Sequence, residues 1–159
     1  GGAGRLDMSR LAMNLSGYVN GVAKRHAETS RSLFPGYAVR AVTNGVHAYT
    51  WVSPAFSQIF DRHLPGWCDE PEILVRAECC ITSDAIWQAH LSSKSELLLY
   101  IRESMGVELN IDQPILGFAR RITSYKRPEL LFSDVECLRA IARRTPFQII
   151  FAGKAHPQD

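Results

Sequence analysis

Arg120, Arg121, Lys126 and Arg127 stand close together with no acidic side chain between them. The apolar run Pro114-Ile115-Leu116-Gly117-Phe118 leads into them, and a helical pattern opened by Pro128 leads out. Ligands of open parallel sheets bind beyond the carboxyl ends of the strands, which is where positions 120–127 fall. The chain has no G-x-G-x-x-G and no Walker sequence, so side chains, not a glycine-lined backbone, would hold an anion here. Lys126 and Arg127 also precede an expected helix start, where the peptide dipoles make a cation unfavourable by about 0.3–1 kcal/mol. That placement suits a bound anion, most simply phosphate. It also suits a solvated basic turn in which Arg127 pairs with Glu129 or Asp134. Tyr125 could hydrogen-bond a polyol beside the lysine, or pack beneath the loop.

The elements that must position these residues read as α/β. Ile115–Ala119 is expected as a buried parallel strand, residues 128–144 as one helix with Leu131, Val135, Leu138 and Ala142 inside, and residues 147–151 as a second strand. This makes one β-α-β unit with a parallel sheet. Further back, Asp7 caps a helical pattern carried by Met8, Leu11, Leu15, Tyr18 and Val22. Residues 38–42 lean to strand, and Asn44-Gly45 marks a break at which a domain boundary is expected. Ser53-Pro54 opens a helix, and a short helix is expected over residues 70–79. Ser83 or Asp84 caps a long helix ending at Gly106, with Ile86, Trp87, His90, Leu91, Leu97, Leu98 and Ile101 on its apolar face.

With 159 residues, 46% of them hydrophobic, and a formal net charge of +2, the basic cluster is local. A nucleic-acid binder would present a broader basic face. No apolar run approaches the roughly 20 residues of a membrane span. Cys68, Cys79, Cys80 and Cys137 form no C-x-x-C pair, which suits reduced structural cysteines better than a metal site or a disulfide framework. The expected setting is cytoplasmic, with no metal, membrane or nucleic-acid partner. The glycine-rich start and the loop that closes the sequence read as the cut ends of an internal fragment.

Four blocks carry a more specific signal: YVNGVAKRHAETSR at 18–31, TNGVHAYTW at 43–51, FARRITSYKRPELLF at 118–132 and IIFAGKAHPQD at 149–159. In kind, order and spacing they resemble the α-glucan (glycogen, starch and maltodextrin) phosphorylases, especially the short bacterial and archaeal type. The resemblance implies a double Rossmann-like, glycosyltransferase B-type fold. Residues 1–43 would end its N-terminal domain, and 44–159 would begin an incomplete C-terminal one. It implies phosphorolysis of terminal α-1,4-glucosidic bonds to glucose 1-phosphate, with α-glucan and inorganic phosphate as substrates. Pyridoxal 5′-phosphate is the implied cofactor, its phosphate acting as proton relay.

By position, Arg121 resembles the arginine for substrate phosphate and Lys126 the lysine on the cofactor phosphate. Arg120 stands where many animal-type members carry lysine near the same group. Tyr125 and Asn44 resemble the sugar contacts, Trp51 a tryptophan beside the cofactor, and Val22 a cleft-lining position. Thr123 and Ser124 depart from the His-Glu pair of animal enzymes. The lysine that binds the cofactor covalently finds no match here, so the fragment alone is expected to be inactive. A homo-oligomer of the full-length protein stays open.

Two alternatives remain on the residues alone. One is a nucleotide-sugar glycosyltransferase of the same fold, resembling glycogen synthase. The other is a non-catalytic module that binds phosphate or glucan. His47, near Asn44-Gly45, could line a cleft or serve structure. Lys154 lies in a Gly-Lys-Ala motif after the second strand and could also reach a cleft.

Overall fold

The computed structural model describes residues 6–155. The glycine-rich start and the final loop residues of the sequence reading lie outside the described residues. The chain divides into two units, one ending at Trp51 and the other beginning at Val52.

The first unit holds α1 (Met8–Leu15), β1 (Val19–Gly21), α2 (Lys24–Leu33), β2 (Val39–Ala41) and α3 (Ala48–Trp51). The Asp7 carboxylate accepts from the Arg10 N–H at 3.0 Å and starts α1, supplying a partner to an otherwise orphaned amide. The helix stops at Leu15, not at Val22 as the apolar spacing suggested. Ser16 turns extended (φ −94°, ψ 132°), and Val19 goes into a strand. Strands β1 and β2 pair in parallel, Val19 against Val39 and Gly21 against Ala41. Helix α2, between them, was not expected, because KRHAETSRSL has almost no apolar stripe. Its one buried residue is the small Ala27, and Val39 of β2 is buried too. The described residues therefore contain two β-α-β units, not one.

The second unit holds α4 (Pro54–His63), a 3-10 turn (Pro71–Arg76), α5 (Ala77–Cys80), α6 (Ser83–Met105), β3 (Ile115–Ala119), two further 3-10 turns (Ser124–Lys126 and Pro128–Phe132), α7 (Val135–Arg144) and β4 (Gln148–Ala152). Leu64, Trp67, Ile81, Ala89 and Ile101 form its buried apolar set among the described residues. Trp67 stands edge-on to Phe60, with ring centroids 5.3 Å apart, and its indole N–H donates to the Asp61 carboxylate at 2.8 Å. Thr82, not Ser83 or Asp84, caps α6 through a bond from the Ala85 N–H. Gly106 ends the helix at φ 67°, a left-handed position that glycine takes without a Cβ penalty. The expected apolar face of α6 is covered only in part: Ile101 is buried, whereas Ile86 and Trp87 are exposed.

Residues 70–79 form a 3-10 turn and a short helix in place of one helix. Residues 128–144 are likewise not one helix. The Asp134 carboxylate caps a fresh N-terminus through the Cys137 N–H at 2.9 Å, so α7 begins at Val135 and the preceding turn stays separate.

Strands β3 and β4 pair in parallel, Ile115 against Gln148 through Ala119 against Ala152. Strand β3 is expected to be buried, but Leu116 is exposed, as is Phe151 on β4, because this sheet has only two strands among the described residues. The segment between α6 and β3 is tied from both sides. The Lys94 ammonium donates to the carbonyls of Ile111 and Gln113 at 2.5 and 2.6 Å. Asn110 and Gln148 exchange two bonds, at 2.6 and 2.7 Å, which fixes where β4 starts against β3.

Candidate anion site after the second strand pair

Pairing between the two strands does not stop where the strands end. The Arg120 N–H donates to the Ala152 carbonyl at 3.0 Å, and the Ile122 N–H to the Lys154 carbonyl at 3.1 Å. Ile122 and Ala155 form a further parallel bridge in the same register. Arg120 and Arg121 are thus held on a paired, extended backbone, with exposed side chains. The chain then tightens into the turn Ser124–Lys126, with the Lys126 N–H on the Thr123 carbonyl at 3.0 Å. It passes through Arg127 at φ 50°, ψ 56° and enters the turn Pro128–Phe132. A left-handed backbone at a residue with a Cβ costs about 1–3 kcal/mol, and Arg127 is the only such non-glycine position among the described residues.

None of Arg120, Arg121, Lys126 and Arg127 has an ion-pair partner among the described residues. The pairing of Arg127 with Glu129 or Asp134 therefore does not form, and the Asp134 carboxylate is engaged in its cap. The Lys126 ammonium lies 4.8 Å from the centroid of the Tyr125 ring, a cation–π contact worth roughly 0.5–1 kcal/mol at an exposed site. Tyr125 is 66% exposed, which removes the reading in which it packs beneath the loop. The helix-dipole argument also needs correction. The α-helix starts at Val135, so Lys126 and Arg127 do not crowd an α-helix N-terminus. What remains unfavourable is four cations in one short loop with no acidic partner among the described residues, and an anion relieves that directly. Lys126 and Arg127 also edge a groove whose apolar wall includes Phe118, Leu131 and Phe151.

The other expected site residues belong to the first unit. Beyond the ends of β1 and β2, the Val42 N–H donates to the Gly21 carbonyl at 2.9 Å and the Asn44 N–H to the Val22 carbonyl at 3.1 Å. Val22 and Asn44 are thereby brought together at the carboxyl end of that strand pair, both exposed. Trp51 ends α3 and is 78% exposed. His47 bonds the Thr50 hydroxyl at 2.6 Å, a local contact. The Val22 N–H donates to the His26 Nδ1 at 3.2 Å, so His26 braces the start of α2.

Sequence reasoning missed two features of the basic loop. The Thr123 hydroxyl is shielded and has no hydrogen-bond partner among the described residues, which nothing in the sequence signals. Gly153 faces Arg120 across the extended pairing, and a glycine directly after a strand was the available sign. No group of three or more His, Cys, Asp or Glu converges among the described residues, and the four cysteines are unpaired.

Comparison with known proteins follows the same lines. The chain is 33% identical to the glycogen phosphorylase of Aquifex aeolicus over 94% of its own length and 26% of that protein. It is 34% identical to the maltodextrin phosphorylase of Thermococcus litoralis, covering 98% of this chain and 22% of the relative. A glycogen phosphorylase of Mycobacterium tuberculosis is 30% identical over 98% of the chain and 21% of its own length. The chain thus spans about a quarter of the length of the curated relatives it matches. No protein-family model matches it.

Proposed function

We propose, from the premise that nearly the whole of this chain is related to the glycogen and maltodextrin phosphorylases, that it is part of an α-glucan phosphorylase. In this reading the full protein has the two-domain glycosyltransferase B-type fold. Residues 1–43 close its first domain, and 44–159 open its second. It acts in the cytoplasm on an α-1,4-glucan and inorganic phosphate, releasing glucose 1-phosphate.

The observation that carries the reading is the loop of four cations with no acidic partner among the described residues. Phosphorolysis has to bring substrate phosphate close to a cofactor phosphate. Two unit negative charges about 5 Å apart repel by roughly 3 kcal/mol at an effective dielectric of 20, and each phosphate carries up to about −2. Arg121 holds the substrate phosphate, with a planar fork matched to its oxygens. Lys126 and Arg120 hold the phosphate of pyridoxal 5′-phosphate, and the donor chemistry of the loop fits that group. When bound, the cofactor supplies a phosphate that relays protons near neutral pH. Trp51 stands beside the cofactor. Asn44 and Tyr125 bond the sugar hydroxyls, and Val22 lines the approach.

The test is release of glucose 1-phosphate from maltodextrin and inorganic phosphate by the full protein. A full protein that instead transfers glucose from a nucleotide sugar would replace the reading with the synthase-like one. Lys126→Ala is expected to lose cofactor on gel filtration. Full cofactor retention together with wild-type activity would remove Lys126 from the site. The 159-residue chain alone is expected to release no glucose 1-phosphate.

A further inference from the structure

Gly153 is the closest-packed glycine among those described. A Cβ built on it would overlap the carbonyl oxygen of Arg120 and lie 3.0 Å from its carbonyl carbon. The obstructing atoms are backbone, so no side-chain rotation can relieve the clash. The same few residues carry the bonds from Arg120 N–H to the Ala152 carbonyl and from Ile122 N–H to the Lys154 carbonyl. In that register Gly153 stands opposite Arg120, and Lys154 opposite Arg121.

We infer that Gly153 is a positioning residue for phosphate recognition: its bare Cα lets the chain after β4 close on the Arg120–Ile122 backbone, and that closure aims Arg120 and Arg121. The inference rests on the phosphate-binding reading of the basic loop. Gly153 carries no charge and touches no substrate. Its effect runs through the two arginines, whose backbone it holds between two hydrogen bonds. Any side chain at 153 would push the two strands' extensions apart and shift Arg121 without removing a cation. Shifts of about 1 Å at a positioning group can cost on the order of a hundredfold in rate.

The experiment is Gly153→Ala in the full protein, read in two ways. Steady-state kinetics are expected to give a KM for inorganic phosphate raised about tenfold or more, with the KM for maltodextrin within about twofold of wild type. Calorimetric titration with inorganic phosphate is expected to show the same weakening without any turnover. An unchanged phosphate KM and affinity would overturn the inference, as would equal losses for phosphate and maltodextrin, which mark a glycine that only supports the fold. If Gly153→Ala does not fold, Ile122→Pro decides. It removes the N–H donated to the Lys154 carbonyl and adds no bulk at 153. Phosphate-selective weakening upholds the inference, and wild-type phosphate affinity overturns it. A wild-type protein that binds phosphate but performs no phosphorolysis defeats the functional reading alone, while one that binds no phosphate defeats both.

Discussion

The two β-α-β units solve the same problem with different crossovers. In the first, Val22 and Ala23 alone join β1 to α2. The turn is closed by the His26 ring on the Val22 N–H and by Ala27 packed onto the strands. In the second, residues 120–134 intervene between β3 and α7, with two 3-10 turns and a left-handed Arg127. The short crossover is given over mostly to closure, with Val22 left exposed at its edge. The long one keeps strand pairing through Ile122 and carries, along that pairing and the turn after it, four cations with no acidic partner among the described residues. One junction serves mainly packing, and the other is free to serve a ligand. Substitutions in the first should therefore cost stability, and those in the second should cost binding.

The largest expected effect sits in the long crossover. Arg121→Ala in the full protein should lower the phosphorolysis rate by roughly 10²–10³-fold, the range seen when a preorganised charge-stabilising donor is removed. Its melting temperature should stay within a degree or two, because the side chain is exposed and unpaired. A melting temperature lowered in step with activity would show that this loop, too, is chiefly structural.

Next in size is a change at the short crossover. A Cβ on Gly21 would lie 2.7 Å from His26 Nδ1 and 2.8 Å from the Ala27 backbone nitrogen. Gly21→Ala should destabilise by about 1–3 kcal/mol through overpacking, measured by urea unfolding. Gly117 in β3 is the matched control, since nothing lies within 4 Å of the corresponding position. Gly117→Ala should be neutral or stabilise by a few tenths of a kcal/mol, up to about 1, through a less free unfolded chain. Equal losses at the two glycines would erase the contrast between the crossovers.

The strand leading into the long crossover, two helix ends elsewhere and the cations were legible, and most of the short crossover was not. Ile115–Ala119 announced itself by a continuous apolar run, Asp7 and Gly106 by cap chemistry, and the cations by their number. Helix α2 left no apolar period to read, because a single alanine is its one buried residue. The break before Val135 was hidden for another reason. Pro128-Glu129-Leu130-Leu131-Phe132 suits a helix by composition, and only the backbone at Arg127 and the cap at Asp134 divide it. The resemblance of the four sequence blocks supplied residue roles that composition could not. It was silent on Gly153, whose importance lies in a backbone approach between segments distant in sequence.

A smaller effect tests whether the left-handed residue belongs to the ligand-serving crossover. Arg127→Gly removes the Cβ penalty at φ 50° and should stabilise the protein by about 1 kcal/mol. It also precedes Pro128, a placement that disfavours helical backbone, so the gain should not be lost to a relaxed alternative. If the strained turn exists to present Lys126, the gain in melting temperature should come with weaker cofactor retention. A stabilised variant with unaltered retention would assign the strain to chain routing alone.

The smallest effect concerns Thr123, inside the same loop. Its shielded, unpartnered hydroxyl belongs to a class of defect that costs about 1–3 kcal/mol when fully desolvated. Valine has nearly the same volume and no polar atom. Thr123→Val should therefore stabilise the unliganded protein, by about 0.5–1 kcal/mol after allowing for partial hydration. The informative measurement is the melting temperature with and without saturating inorganic phosphate. If the hydroxyl is held in reserve for an anion, the gain should shrink or reverse when phosphate is present, because the variant has lost a donor that the bound state uses. If the gain is the same in both conditions, the hydroxyl is a packing defect with no part in binding. The distinction between a crossover that mainly closes and one that waits for a ligand would then rest on its cations and Gly153.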